Sequence, residues 1–121
     1  MTNYKQSFGR WGEKAAVHFL EEKGLKIIGQ NWRSIHGEID IIAKDADGYV
    51  FVEVKTRGGD QFGFPENAVT KIKSIHLVSC ILDYIEEKQI EEEWRIDVVS
   101  IRKIAKQPLE IKWFQNAIRE E

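Results

Sequence analysis

The chain has 121 residues, of which 42% are hydrophobic, enough for one buried core but too few for two independent domains. Its formal net charge of −2 excludes nucleic-acid binding driven by total charge alone, although a local basic patch remains compatible with it. The single cysteine, Cys80, excludes an internal disulfide, and no stretch has the pattern of a signal peptide or a transmembrane helix. We expect one cytoplasmic domain over residues 1–121, with no membrane and no disulfide partner.

The N-terminal third predicts a helix followed by a strand. Residues 1–8 are polar and indicate a poorly ordered tail, and apolar residues then recur at helical spacing from about Phe8 to Lys23, before Gly24. Leu25–Trp32 predicts the first strand. Glu13 lies at the rim of the core-facing side of the helix, where a carboxylate is either solvated near the helix start or held by a cation.

Residues 37–57 predict a β-hairpin whose turn is Asp45-Ala46-Asp47-Gly48. With this turn, Asp40 lies opposite Glu53, and Glu38 lies opposite Lys55. Because side chains alternate along a strand, these four charged residues share one face. The other face is expected to be apolar throughout, with Ile39, Ile41, Ala43, Val50, Val52 and Val54.

The second half of the chain predicts a long helix and two more strands. The helix is expected from about Glu66 to Glu87, with Pro65 in its first turn. Trp94–Ile101 and Leu109–Phe114 predict strands, followed by a short helical tail. The long helix can connect parallel strands, so we expect an α/β domain with a mixed sheet of about five strands flanked by helices. The predicted buried stripe of the helix is Val69, Ile72, Ile75, Val78, Ile81, Leu82 and Ile85.

The charged face of the hairpin predicts a metal site. Asp40 and Glu53 repel one another unless a proton or a cation lies between them. Mg²⁺ (or Mn²⁺) takes oxygen ligands from carboxylates, water and phosphate. Lys55 would orient a water or stabilise charge on a phosphate, and Glu13 joins the site if the first helix crosses the open end of this face. Together these groups suit phosphodiester hydrolysis.

The same residues also have a simpler interpretation. A Glu-Val-Lys segment opposite an Asp can be an ordinary salt-bridged surface, in which each pair contributes about 0.2–1 kcal/mol. Two further functions also stay open. One is a catalytically silent module that binds nucleic acid or protein, favoured by the near-neutral charge and the acidic stretch over Glu86–Glu93. The other is a metal-dependent phosphoesterase with a small substrate.

Five blocks of the chain resemble the YraN family, small bacterial proteins grouped with the restriction-endonuclease-like, Holliday-junction-resolvase-like nucleases. The blocks are Gly12-Glu13, Asn31-Trp32-Arg33, Gly37-Glu38-Ile39-Asp40, the run from Phe51 to Arg57, and Arg95-Ile96-Asp97-Val98-Val99. The resemblance extends from about Gly9 to Ile101, and one departure is Ile39, in place of Pro, before Asp40.

This resemblance implies a restriction-endonuclease-like core of the PD-(D/E)xK type. Asp40, Glu53 and Lys55 then occupy the catalytic motif, and Glu13 matches the first-helix glutamate of archaeal-type resolvases. Asp40, Glu53 and Glu13 would hold the metal. The implied activity is Mg²⁺-dependent endonucleolytic cleavage of DNA, including branched or structured DNA. A resolvase acts on two symmetric strands, so a homodimer is implied.

Basic residues around the hairpin are candidates for contacts with DNA phosphates, which would make binding salt-dependent. The candidates are Arg33, Arg57, Lys71 and Lys73. Simple solvation of the helix surface is the alternative for the two lysines. Glu38 and Asp97 are expected at most to support the site from behind its direct ligands. Arg95 and Asp97 share a face of the fourth strand, so they are expected either to pair with each other or to support the site from that strand.

Overall fold

A computed structural model describes residues 4–58 and 71–119, with side chains from residue 8 onward, and folds them into two helices and five strands. α1 precedes a three-stranded meander, and α2 precedes the last two strands. The elements are α1 Tyr4–Glu22, β1 Lys26–Ser34, β2 Gly37–Asp45, β3 Gly48–Gly58, α2 Lys71–Lys88, β4 Trp94–Lys103 and β5 Glu110–Ile118.

The five strands form one mixed sheet in the order β1-β2-β3-β4-β5. β3 and β4 are parallel, and the other neighbouring pairs are antiparallel. α2 provides the crossover that a parallel pair requires. This arrangement confirms the predicted α/β fold and is consistent with a restriction-endonuclease-like core.

The two helices cover opposite faces of the sheet. Leu20 of α1 packs in one apolar cluster with Val50 and Val52 of β3, whereas Ile81 of α2 packs in a second cluster with Phe51. Because successive side chains of a strand point to opposite faces, these two clusters lie on the two sides of β3. The hairpin is therefore buried on both faces near its turn, not on one face as the sequence predicts.

The predicted turn is confirmed, and so is the predicted register from Asp45–Gly48 to Ile41–Val52. The predicted pairs Asp40–Glu53 and Glu38–Lys55 lie beyond the backbone pairs of these two strands. The Asp45 Oδ1 atom accepts hydrogen bonds from the backbone N–H groups of Asp47 at 2.8 Å and Gly48 at 3.2 Å. Gly48 has a φ of 142°, and a Cβ there would lie 2.1 Å from the carbonyl oxygen of Glu93. Lys44 pairs with Tyr49, as the turn requires.

The predicted apolar face of β2 is wrong at Ile39, which belongs to the cluster under α2 while Ile41 belongs to the cluster under α1. The pairing of β1 with β2 passes from Gln30–Ile41 to Trp32–Ile39, and the intervening Asn31 has a left-handed φ of 52°. Strict alternation therefore fails on β2 between Ile41 and Ile39, although the register with β1 does not shift there.

The predicted buried stripe of α2 is also wrong in part. The residues that α2 buries are Leu77, Cys80, Ile81 and Tyr84. Ile72, Ile75 and Leu82 instead have exposed fractions of 70%, 56% and 40%. Apolar residues occur around most of this helix, so periodicity did not distinguish the side that the sheet would cover. The predicted start of the helix at Glu66, with Pro65 and Val69, lies outside the described residues.

Both ends of the described chain differ from the prediction. α1 begins at Tyr4, within the segment expected to be a tail. β5 continues to Ile118, which pairs with Ile96, so the predicted helical tail is wrong. The hydrogen bonds between β4 and β5 outweigh the local helical preference. Within residues 4–58 and 71–119, neither helix is long and apolar enough to cross a membrane.

Candidate active site

Asp40 lies just beyond the last backbone pair of β2 and β3, and its side chain continues the contact between the two strands. The paired residues run from Asp45–Gly48 to Ile41–Val52. Beyond that pair, the Asp40 Oδ2 atom accepts a hydrogen bond from the backbone N–H of Val54 at 2.8 Å. This bond fixes the Asp40 carboxylate between the two strands that carry the predicted motif.

Three carboxylates from two elements, those of Glu13, Glu38 and Asp40, converge at this position and form an acidic cluster. One oxygen atom from each of Glu13, Glu38 and Asp40 lies within 4.8 Å of the other two. Glu13 comes from α1, and the Asn31 Nδ2 atom donates a hydrogen bond to its Oε1 at 3.0 Å. Arg33 forms an ion pair with Glu38. Glu38, predicted only as a supporting residue, is thus part of the cluster itself.

Gly12 lets α1 come close enough to β3 to deliver Glu13. A Cβ atom at position 12 would lie 2.0 Å from the Cγ2 atom of Thr56 and 3.3 Å from its Cβ atom. Any larger residue would therefore require the helix or Thr56 to move. The Gly-Glu pair therefore has a packing reason. Gly12 permits the close contact between α1 and β3 that brings Glu13 to the acidic cluster.

Glu53 and Lys55 extend the acidic cluster along β3. The Lys55 Nζ atom lies 3.0 Å from the Glu53 Oε1 atom, and only 8% and 15% of these side chains are exposed. Burial favours the neutral amine, but a hydrogen bond with Lys73 and the charges of Glu53 and Asp40 raise the pKa of Lys55 above its usual value. Lys55 is therefore an ammonium at neutral pH.

The electrostatics of the cluster make Asp40 hard to ionise. Burial and the nearby charge of Glu53 raise the pKa of Asp40 to about 8, while its hydrogen bond from Val54 opposes this shift. Glu13 and Glu38 add smaller contributions in the same direction as burial. A cation among these oxygens would favour the ionised form of Asp40, because it would offset the mutual repulsion of the carboxylates.

The cluster opens into a cavity of about 450 Å³ between β2, β3 and α2, which Glu38, Asp40, Glu53 and Lys73 help to line. His36 and His76 lie on its wall as well. The His36 Nδ1 atom is 2.7 Å from the Asp83 Oδ2 atom. No local sequence pattern indicates this pairing, because His36 and Asp83 are 47 residues apart along the chain.

The remaining candidates do not all lie at the cavity. Arg57 donates a hydrogen bond to the Thr56 carbonyl oxygen at 3.4 Å, and Lys71 lines a separate groove on α2. Asp97 is fully buried and accepts hydrogen bonds from Arg95 and Trp113, together with the backbone N–H of Asn116. The predicted pairing of Asp97 with Arg95 is confirmed.

Asp97 lies away from the acidic cluster because of the register of the sheet. It pairs with Val52, and Val98 pairs with Glu53. Trp113, which bonds to Asp97, packs against the apolar cluster under α1, whereas Glu53 lies on the α2 side of β3. The structure therefore gives Asp97 a role in joining β4 to β5, not in supporting Asp40.

Comparison with known protein families bears on the same region. The sequence pattern described as "Uncharacterised protein family UPF0102" matches residues 12–101. The chain belongs to the UPF0102 family. The family-level expectation from the YraN resemblance is therefore confirmed. The UPF0102 match begins at Gly12 and ends at Ile101, so it includes every residue of the acidic cluster as well as Glu53 and Lys55.

Individual UPF0102 proteins are similar to most of this chain. A UPF0102 protein of Syntrophus aciditrophicus is 44% identical over 94 residues, covering 77% of this chain and 74% of that protein. One from Nocardia farcinica is 43% identical over 98 residues, covering 80% and 77%. One from Caldicellulosiruptor saccharolyticus is 39% identical over 116 residues, covering 93% and 98%.

The oxygens of the acidic cluster suit a hard divalent cation. One oxygen from each of Glu13, Glu38 and Asp40 lies within 4.8 Å of the other two, so small side-chain movements would let the three share one cation. All three ligands are carboxylates, the donor type that such cations prefer.

Proposed function

We propose that this UPF0102 protein is an endonuclease that uses Mg²⁺ or Mn²⁺ to hydrolyse DNA phosphodiester bonds, including those of branched or structured DNA. The observation that carries the proposal is the placement of Asp40. Its carboxylate is fixed by Val54, lies among Glu13 and Glu38, and shares a cavity with Glu53. The resemblance to PD-(D/E)xK nucleases supports the same assignment.

Asp40 and Glu13 would hold the cation, with Glu38 or Glu53 completing the set of protein ligands. A divalent cation there would supply Lewis-acid stabilisation of the negative charge that develops on a phosphate under attack. The protein would contribute by keeping these carboxylate oxygens close together in a partly buried site. Their mutual repulsion and their burial raise the pKa of Asp40.

Lys55 would act on the phosphate or on the attacking water. Its ammonium group is buried, held by Glu53, and kept protonated by the surrounding negative charge. A fixed positive charge in a partly dry site stabilises a developing negative charge more strongly than the same charge in water. Because it has no lone pair when protonated, Lys55 would orient or stabilise reacting groups and would not accept a proton.

Arg33 would neutralise a flanking phosphate. The hydrogen bond with Lys55 and burial lower the pKa of Lys73, so Lys73 would act mainly as a hydrogen-bond donor to a phosphate oxygen. Lys73 lines the cavity, and Arg33 is 78% exposed and pairs with Glu38 near its edge. The cavity is open to solvent, which suits a polymer that lies across it better than a small molecule enclosed by it. Such contacts act on phosphates, so they would give affinity without sequence preference.

The test is cleavage of branched, single-stranded and duplex DNA with Mg²⁺ or Mn²⁺. We expect Asp40→Asn and Glu53→Gln to lower the cleavage rate by about 100-fold or more, in the range of losses seen when charge stabilisation is removed. Glu92→Gln is the matched control, because Glu92 pairs with Lys44 and lies outside the cavity. Equal activity in the wild type and in both site variants would identify a contaminant and reject the proposal.

The competing function is a module that binds nucleic acid or protein without turnover. The exposed acidic side chains after α2, Glu91, Glu92 and Glu93, favour it, because they would repel DNA from that side of the molecule. Its signature is binding that needs no metal and survives Asp40→Asn and Glu53→Gln. A DNA affinity that does not change with salt would show that phosphates are not the ligand.

A further inference from the structure

The side of α2 that faces away from the sheet carries an apolar stripe. Ile75 is 56% exposed and Leu82 is 40% exposed, with the half-buried Val78 between them. These positions recur at intervals of three and four residues, so they share one side of the helix. Ile75 and Leu82 lie away from the side that buries Leu77, Cys80, Ile81 and Tyr84 against the sheet, whereas Val78 lies at the boundary and packs partly against the apolar cluster of that side.

The stripe ends in charges of opposite sign. Lys71 lies at its N-terminal end and Glu86 at its C-terminal end, and both side chains are exposed. Both continue the same helical spacing, four residues before Ile75 and four after Leu82. Arg119 lines the same groove of about 550 Å³ as Lys71 and adds a second positive charge at that end.

We propose that this stripe binds a second copy of the chain through an antiparallel pairing of two α2 helices. A two-fold axis near Val78 and Ser79 places Ile75 of each copy beside Leu82 of the other. The same axis brings Lys71 of each copy to Glu86 of the other, so the favourable contacts occur twice. A parallel pairing would bring like charges together, which identifies the antiparallel partner as the complementary one.

The area of one helix pair predicts a weak dimer. Stable complexes bury about 1,200–2,000 Å² in total, more than a single pair of five-turn helices provides. The dimer is therefore expected to dissociate on dilution. This inference concerns assembly and does not depend on the proposed nuclease activity, since each step rests on α2 and Arg119 alone.

Sedimentation velocity of the full chain over about a 100-fold range of concentration tests the pairing. We expect the wild type to shift from monomer to dimer, and Ile75→Glu and Leu82→Glu to raise the dissociation constant by about 10-fold or more, because each buries a carboxylate in the apolar centre. Circular dichroism checks that the variants stay folded. A wild type that remains monomeric over the whole concentration range would overturn the proposal. The stripe would then be covered by residues 59–70 or by another protein.

A charge exchange distinguishes this pairing from other dimers. Lys71→Glu and Glu86→Lys are each expected to weaken association, and the double variant to restore it. Glu87→Lys is the matched control, because it makes the same charge change one residue outside the stripe. A double variant as weak as its parents would reject the antiparallel register.

Discussion

The carboxylate of Asp40 accepts a hydrogen bond from the backbone N–H of Val54 at 2.8 Å, immediately beyond the last paired residues of the β2–β3 hairpin. The side chain thereby satisfies a backbone donor next to the end of the pairing. It is also held among carboxylates that raise its pKa. One contact thus links the stability of the hairpin to the charge of the candidate site.

The unfolding free energy of the metal-free protein should fall as pH rises. The pKa of Asp40 is about 8 in the folded chain, whereas the ordinary value for an aspartate, which we take for the unfolded chain, is 3.8. Between these values the folded state holds the proton more tightly, so it loses up to about 1.4 kcal/mol of stability per pH unit. Asp40→Asn should remove most of this slope in urea unfolding with a chelator. An unchanged slope in the variant would show that Asp40 titrates normally.

Mn²⁺ should stabilise the protein more at pH 8 than at pH 6. The cation competes with the proton on Asp40, and a ligand at 100 times its dissociation constant adds about 2.7 kcal/mol. Thermal melts with and without Mn²⁺ measure the difference. Glu13→Gln should reduce the Mn²⁺ effect, whereas Glu92→Gln should keep it. The same stabilisation in both variants would place the cation elsewhere.

Gly12→Ala should weaken Mn²⁺ binding without touching a ligand. The added methyl group would overlap the Thr56 Cγ2 atom, and a shift of α1 away from β3 that relieves this overlap would take Glu13 with it. Overpacking of this kind costs about 1–3 kcal/mol of stability. Thr56→Ser removes the Cγ2 atom, and we expect it to recover much of both losses in the double variant. Mn²⁺ titration and urea unfolding report the two effects separately.

Lys55→Gln should abolish cleavage while DNA stays bound. The variant loses the buried ammonium 3.0 Å from Glu53, and losses of about 100-fold to 1,000-fold in rate follow removal of one charge-stabilising group from a reacting site. Single-turnover cleavage and filter binding measure rate and affinity independently. Lys88→Gln is a control with a distant lysine that pairs with Glu87 on the surface. A parallel loss of affinity and rate would make Lys55 a binding residue.

Asp97→Ala should destabilise the fold and leave the Mn²⁺ affinity of the folded protein unchanged. The substitution leaves Arg95 without its buried carboxylate, and the N–H groups of Trp113 and Asn116 without their acceptor. Arg95 keeps its ion pair with Asp45 at 2.9 Å, but each buried donor that is left without an acceptor costs about 1–3 kcal/mol. Urea unfolding gives the stability, and Mn²⁺ titration is done where the variant is still folded. Lower Mn²⁺ affinity would restore Asp97 to the site.

The sequence by itself determined the hairpin and the motif that it carries. Its turn residues set the register, because Asp45 bonds to the backbone of Asp47 and Gly48 and a four-residue turn permits few alternatives. That register brought Asp40 to β3 near Glu53, and alternation put Glu53 and Lys55 on one face. These features depend on neighbours within about twenty residues, where local geometry is enough.

Tertiary structure decided which other residues meet the motif. Glu38 enters the acidic cluster, and Asp97 serves the β4–β5 pair, although both were predicted in the same supporting role. Ile39 lies on the α2 side although alternation puts it with Ile41, and the sheet covers the side of α2 away from Ile75. Such outcomes depend on how separate elements pack, and packing energy is shared among distant residues that no local pattern contains.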